Sequence, residues 1–394
     1  MIRISRHSTA VAGTAAALTL LAAGCASGGP GGSSSSGGSS APSSNGSTVT
    51  VGLIEHETGP SAFYGQTEIK GIKAAAKVIN SEGGILGKKI TFDIQDDADT
   101  PAKSVQAVKQ LAANSAISVI LGPTNAPSDL ADAPVASQQR IPEIFNTGGV
   151  ASLSGDYGYT VLMPYPYMAT YTLDKFFGAT KDKTAAVVTQ SNNEAFTSIQ
   201  GVISNELKKL GVKVVADTSY QQGTEDFSSI IAPIKSKQPQ AVILNMIDVD
   251  AARFVSQARQ AGVTAQWVGS TNSELTSAMQ KAPGNSANQM VLSGVYDESQ
   301  PSQALSQYLS TTKQLYGDSL LSVAVYGYDS VFLLKKAVEQ AGAWDRQKIN
   351  TALQQITSFS GAAGTYKKNK GNQFWQTQPP MEILKNGQFS AFEG

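Results

Sequence analysis

From Thr48 onward, short apolar runs alternate with longer stretches whose apolar residues recur every three or four positions. The runs VTVGLI (49–54), KITFDIQ (89–95), ISVILG (117–122) and IPEIF (141–145) have the length and β-branched content of strands. Between them, 66–80 places Ile69, Ile72, Ala76 and Ile79 on one helical face. Thr100-Pro101 supplies an N-cap and a proline at the first helical position, followed by Val105, Val108 and Leu111, and 126–139 reads as a third helix. The rhythm restarts after about residue 165. Strands are predicted at 185–190, 212–220, 240–245 and 265–270. Helices are predicted at 197–210, ended by Gly211; at 227–236, interrupted by Pro233; at 250–261, ended by Gly262; and at 323–342, stopped by Gly342. This alternation predicts an α/β fold class, with two doubly wound halves whose parallel sheets carry helices on both faces. The loops EHETGPSAFYG (55–65), GPTNAPSD (122–129), NTGGVAS (146–152), SNNEAF (191–196), MIDVD (246–250) and STNSE (270–274) follow the strands, and ligands of open α/β sheets sit at those ends.

The first 47 residues break the pattern. Arg3, Arg6 and His7 precede an uncharged apolar stretch at 9–22, too short to span a hydrocarbon core of roughly 30 Å. A basic start, a short apolar segment and small residues after it read as a secretory signal peptide over 1–24. It ends in LAAGC, which resembles the lipobox of bacterial lipoproteins, with Leu21 one place earlier than usual; the resemblance implies cleavage before Cys25 and lipidation of its sulfur. Seventeen of the 22 residues in 26–47 are Gly or Ser and none is charged, so 25–47 reads as the lipidated cysteine and a flexible tether, with a reach on the order of 25 Å. Two acyl chains anchor a protein firmly where one does not.

Composition narrows the function classes. The 394 residues hold 30 Lys plus Arg against 30 Asp plus Glu, which gives no bulk electrostatic reason to bind nucleic acid. One cysteine excludes an internal disulfide or a Cys-rich metal cluster, and two histidines leave little room for metal or triad chemistry. No GxxxxGK[ST], GxGxxG or GxSxG occurs where a nucleotide or hydrolase fold needs it. An enzyme is therefore not expected, nor any cofactor or metal. His56 and Glu57 are expected to be solvated, and Asp96 and Asp97 to form a strand-end turn that caps the next helix.

TGPSAFYGQTEIKGIKAAAKVINSEGGILGKKITFDIQDDADTPAKS (58–104), with its INSEGGILGKKI hairpin, resembles the opening of the leucine/isoleucine/valine-binding proteins of ABC importers. GTEDFSSIIAPIKSKQPQAVIL (223–244), QARQAG (257–262) and YGYDSVFLLKKAVEQAG (326–342) extend the likeness across 48–394. The resemblance implies a periplasmic-binding-protein type I fold: two doubly wound lobes joined by three hinge crossovers near Tyr165, Val295 and Gly361. Lobe 1 is then 48–164 plus 297–358, and lobe 2 is 165–296 plus 359–394. It also implies a monomeric, extracytoplasmic, membrane-anchored protein. Such a protein closes on a small-molecule ligand and meets ABC permease subunits. A lipoprotein that senses a ligand for a signalling partner is the alternative.

Ligand contacts are expected at Tyr64, Asn125, Ala126, Asn146, Thr147, Gly148, Gly149, Glu194, Phe196, Thr271, Asn272 and Tyr326, of which the resemblance bears on Ala126, on 146–149 and on Thr271-Asn272. The family's serine in the first of these loops is replaced here by Ala126, and its carboxylate-binding Ala-Thr pair by Asn146-Thr147-Gly148-Gly149. The acid that pairs with a ligand ammonium is absent from Ser270-Thr271-Asn272, which leaves Glu274, Glu194 or Asp248 to replace it, or a ligand without an ammonium. Of Tyr326 and Tyr328, one is expected to line the cleft and the other to pack in the core. Phe196 stacks on a ligand or staples its helix.

Overall fold

Two large sheets and one small sheet carry the chain in this computed structural model, which describes residues 47–146, 152–272, 277–298, 301–317, 323–369 and 371–393. The first sheet comprises β1 (Thr48–Glu55), β2 (Lys89–Asp96), β3 (Ile120–Leu121), β4 (Glu143–Phe145) and β5 (Gly158–Thr160), all parallel, in the order β2-β1-β3-β4-β5. Helices α1 (Ala62–Ser81), α2 (Pro101–Ala113) and α3 (Ala126–Gln139) connect them. Next come α4 (Tyr165–Thr180), β6 (Thr184–Gln190), α5 (Glu194–Lys209), β7 (Lys213–Tyr220), α6 (Ser228–Lys237), β8 (Ala241–Asn245), α7 (Asp248–Gln260), β9 (Gln266–Gly269), α8 (Ser277–Gln280) and β10 (Val291–Ser293). The chain continues through α9 (Gln303–Tyr316), α10 (Val323–Ala341), α11 (Arg346–Gln355), β11 (Ser358–Ser360), β12 (Thr365–Lys368), β13 (Phe374–Trp375), β14 (Met381–Lys385) and β15 (Gln388–Ala391). The second sheet runs β15-β14-β10-β9-β8-β6-β7.

That second sheet is mixed rather than wholly parallel. β14 pairs antiparallel with β10, and β15 antiparallel with β14. Residues 358–375, most of which the resemblance assigns to lobe 2, form a three-stranded antiparallel sheet of their own. Thr160 in β5 bridges Gln373, which ties this small sheet to the first large one. Asp329 in α10 holds its near edge: Ala362 N and Ala363 N donate to its carboxylate at 2.6 and 2.9 Å, and Tyr366 Oη at 2.8 Å.

α10 lies against α1 so closely that a Cβ on Gly71 would stand 1.9 Å from the Ala324 carbonyl oxygen. That approach is why glycine occupies a helix interior, where it is otherwise unfavourable. One apolar cluster runs through both large sheets and includes the edge-packed rings of Phe227, Phe254 and Trp267, and two further clusters pack the α4–α5 and the α2–α3 sides.

Four local expectations are corrected. Thr100 occupies the N-cap position of α2, but its Oγ1 donates back to Asp97 O instead of accepting a helix N–H. Asp96 and Asp97 do not cap α2. Asp96 accepts from Thr58 and from Ala98 N, and Asp97 accepts from Asp99 N and Ser128 Oγ. The INSEGGILGKKI hairpin reduces to one bridge pair, Ile85 with Lys88, closing the turn from α1 into β2. Pro233 sits inside α6 without interrupting it.

Candidate ligand-binding cleft

The carboxyl ends of β1, β3 and β4 face those of β6, β8 and β9, and two hydrogen bonds cross between them. Tyr64 Oη, from the first turn of α1, donates to Asp248 Oδ1 at the start of α7 at 2.7 Å. Asn272 Nδ2, just after β9, donates to Tyr326 Oη in α10 at 3.0 Å. Both tyrosines lie on the side of the first sheet, and both partners on the side of the second. Tyr326 is 5% exposed, whereas Tyr328 turns into the core against Tyr308 and Phe332.

Asn146, directly after β4, is 1% exposed, and neither its amide oxygen nor its amide nitrogen has a protein partner. Its backbone is pinned, with N donating to Pro123 O and O accepting from Thr124 Oγ1. A buried amide with all its hydrogen-bonding capacity unmet is costly unless a ligand or water satisfies it. Thr147, Gly148, Gly149 and Glu274 lie outside the described residues.

Asn125 is committed elsewhere: its Oδ1 accepts from Ser128 N as the N-cap of α3, and its Nδ2 donates to Asp99 Oδ1. Ala126 is the buried first residue of that helix and offers only a methyl group. Glu194 is exposed at the start of α5. Phe196 is buried and stacks with Tyr165 at 6.2 Å, an aromatic wall that sequence reasoning missed although Tyr165 marks the first crossover. Thr271 and Asn272 are buried, and Asn272 N also donates to Met168 Sδ at 3.2 Å.

Beneath the first sheet's loops lies a set of buried acids that sequence reasoning also missed. Glu55, Glu68, Asp97, Asp129, Asp132 and Glu143 are fully buried, and so is His56, contrary to the expectation that it is solvated. Burial raises Glu55, Glu68, Asp129 and Glu143 well above the usual carboxylate range; neighbouring acids add to this for Glu55, Asp129 and Glu143. Burial lifts Asp132 to about 7 against the hydrogen bond from Ser104. His56 Nδ1 stands 3.9 Å from both Glu55 Oε2 and Asp97 Oδ1. Burial lowers the imidazole pKa, against the pull of Asp97 and the acids beside it, and so works against an ion pair at those distances. Among the described residues no group of acids, histidines or cysteines is arranged to hold a metal ion.

Residues 48–388 match the periplasmic binding protein family. The chain belongs to that family. It is 24% identical over 368 residues to the leucine-, isoleucine-, valine-, threonine- and alanine-binding protein of Pseudomonas aeruginosa, covering 88% of this chain and 90% of the relative. Its fold superposes on the branched-chain amino acid transporter substrate-binding protein of Streptococcus pneumoniae in complex with isoleucine, with a TM-score of 0.79, 21% identity and coverage of 88% and 100%. It also superposes on an ABC-transporter solute-binding protein of Rhodopseudomonas palustris in complex with benzoate, with a TM-score of 0.75, 21% identity and coverage of 88% and 95%. This periplasmic binding protein is thus a substrate-binding protein and not an enzyme, and its family works outside the cytoplasm. No described helix is long and apolar enough to cross a membrane.

Two cavities of about 450 Å³ each lie outside the cleft. One is at the crossovers, lined by Tyr296, Lys367 and Gln376, and the other at the opposite end of the first sheet.

Proposed function

We propose that this binding protein is a lipid-tethered lipoprotein that captures a small α-amino acid between two lobes and delivers it to an ABC permease. The lobes are 48–164 plus 297–358 and 165–296 plus 359–394. The paired cross-cleft bonds, Tyr64 with Asp248 and Asn272 with Tyr326, carry the reading, because they exist only when the lobes are together. Asp248 is the acid placed to replace the missing family carboxylate. It is buried at the cleft, with Oδ1 on Tyr64, while Glu194 is exposed. Asn146, at the carboxyl end of β4, offers an unpaired donor and acceptor. Calorimetry with leucine, isoleucine, valine, threonine and alanine tests the ligand. Asp248→Asn is expected to lower amino-acid affinity at least about tenfold, since a charge-assisted hydrogen bond is lost. Unchanged affinity would remove the ammonium-pairing role.

Delivery is supported by apolar side chains beside the cross-cleft bond. Phe63 and Val249, neighbours of Tyr64 and Asp248, are 51% and 53% exposed. They flank a bond that joins the two sides of the cleft, and a partner that recognises the loaded state would meet exposed apolar groups from both sides. In a reconstituted importer, Phe63→Asp with Val249→Asp is expected to reduce uptake severalfold while calorimetric affinity stays within about twofold; equal loss of both would show that the pair serves the ligand instead. Anchoring rests on the Cys25 motif. Cys25→Ser is expected to move the protein from the membrane fraction to the soluble one, and retention in the membrane would refute the lipid.

A further inference from the structure

Glu68 stands one turn after Tyr64 in α1, on the same face of the helix, and is fully buried beneath the cleft loops. Its Oε1 is 3.3 Å from Thr124 Oγ1, in the loop after β3. Its Oε2 has no protein partner and abuts α10 so closely that a Cβ on Gly327 would stand 2.6 Å from it. Thr124 Oγ1 has a second neighbour, Asn146 O, at 3.4 Å in the loop after β4. A carboxyl, a hydroxyl and a carbonyl thus line up under the cleft, and the row ends at the residue whose buried amide is unmet.

A hydroxyl has one hydrogen. Beside an ionised Glu68 it serves either the carboxylate or the Asn146 carbonyl, and the charge-assisted bond wins. With a proton on Glu68 both contacts are made: the carboxyl O–H donates to Thr124 Oγ1, and the Thr124 O–H donates to Asn146 O. The surroundings favour that proton. Glu55 approaches from the end of β1, with His56 Nδ1 3.9 Å from its carboxylate; Asp129 approaches from α3, Tyr308 from α9 and Tyr326 from α10. Asp329 of α10 is committed to Ala362, Ala363 and Tyr366, and the α1 lysines Lys70, Lys73 and Lys77 are exposed. None of the groups facing the carboxyl is a lysine or an arginine, and burial raises Glu68 well above the usual carboxylate range. Tyr326 also receives the cross-cleft bond from Asn272. Parting the lobes breaks that bond and admits water to Tyr326 and Asn146, and hydration favours a charged Glu68.

We propose that Glu68 is a proton-bearing positioning residue of the cleft: protonated, it completes the row through Thr124 to Asn146, and a ligand that closes the lobes draws that proton in from solvent. Affinity is then highest in acid. The gain is complete below the pKa of the open form and is lost as the pH rises towards that of the closed form, which holds the proton more firmly. The link to affinity rests on the cleft being the ligand site; the hydrogen-bond switch does not.

Backbone amide resonances of the unliganded protein test the switch. Those of Thr124 and Asn146 are expected to shift together, as one titration, between about pH 6 and about pH 8.5. Glu68→Gln is expected to abolish that titration. Thr124→Val reaches the same end at Asn146 without touching the buried carboxyl. Glu382→Gln, which removes a carboxyl that titrates at about 8 on β14 of the second sheet, is expected to keep it. Isoleucine is the probe for affinity. Calorimetry is expected to show about tenfold weaker binding at about pH 8.5 than at about pH 6, with proton uptake seen as a heat that changes with the ionisation enthalpy of the buffer, and equal affinities at the two pH values in Glu68→Gln. A loop titration that survives Glu68→Gln, or none in the unmodified protein, overturns the inference. Isoleucine binding with the same pH dependence in Glu68→Gln as in the unmodified protein also overturns it. Failure of isoleucine to bind, with the Glu68-dependent titration present, supports the switch and counts against the amino-acid reading alone.

Discussion

Raising the pH from about 5 to about 8.5 is expected to make the protein markedly easier to unfold, with the urea midpoint falling on the order of 1 M. The cause is the acid cluster below the cleft loops, joined by two outlying acids. Burial lifts Asp132 and Asp329 to about 7 and Glu382 to about 8, and pushes Glu55, Glu68, Asp129 and Glu143 well up. In the unfolded chain the same carboxyls titrate near 4. The folded protein therefore holds protons that the unfolded chain releases. That stability is fully present below about pH 4 and drains away as the pH climbs through 7 and 8. A single carboxyl moved from about 4 to about 7 accounts for roughly 4 kcal/mol, although coupled acids share protons and their contributions do not add. His56 acts in the opposite sense: its lowered pKa favours the fold above about 6.5 and costs stability below it. The best stability is thus expected in mild acid. Glu143→Gln, which stays neutral throughout, is expected to flatten the urea profile between pH 6 and 8.5; a profile that is level or rising in the unmodified protein would disprove the protonated cluster.

Replacing Asp329 by alanine is expected to cost about 3–5 kcal/mol in urea unfolding at pH 6. Its carboxyl receives two main-chain N–H groups, from Ala362 and Ala363, and the Tyr366 hydroxyl, all of them buried. Removing it strands three donors and opens space against Gly361, whose Cα approaches so closely that an added Cβ would sit 2.3 Å from Asp329 Cγ. Asp329→Asn keeps one acceptor oxygen and is expected to lose less than half as much. Because these bonds hold the turn between β11 and β12 to α10, the alanine variant is also expected to lose ligand affinity if that turn steadies the closed cleft. A penalty below about 1 kcal/mol would mean that the turn is held by its aromatic packing, Phe359 on Tyr366 at 4.5 Å, instead.

Much of the architecture is legible from periodicity alone. The helix expected at 126–139 has those bounds in the structure, and the strands of the second half match within one residue, because apolar spacing reports which face of an element is buried. The cleft pair Tyr64 and Asp248 is separated by 184 positions, and no local pattern encodes such a contact. Buried acids are opaque for a different reason. Glu143 stands inside the apolar run IPEIF, and Asp129 and Asp132 lie on a helix whose other residues look ordinary. Hydropathy scores a carboxylate as surface whether or not it keeps its proton. Asn125 misled because a residue type suited to a ligand is equally suited to an N-cap.

The course of the chain has a consequence for the order in which the molecule assembles. β10 is completed on one side by β9 and on the other by β14, so the second sheet waits for residues 381–391. α1 is covered by α10, which lies beyond the whole of the second sheet's parallel strands in sequence. Neither half closes its core from a continuous stretch, and long-range pairings of this kind form slowly. A chain emerging from its amino end therefore covers α1 only once α10 has arrived, and completes the second sheet only with its last strands. Before those segments arrive, β10 has an unpaired edge and α1 an uncovered apolar face, the surfaces on which premature association would begin.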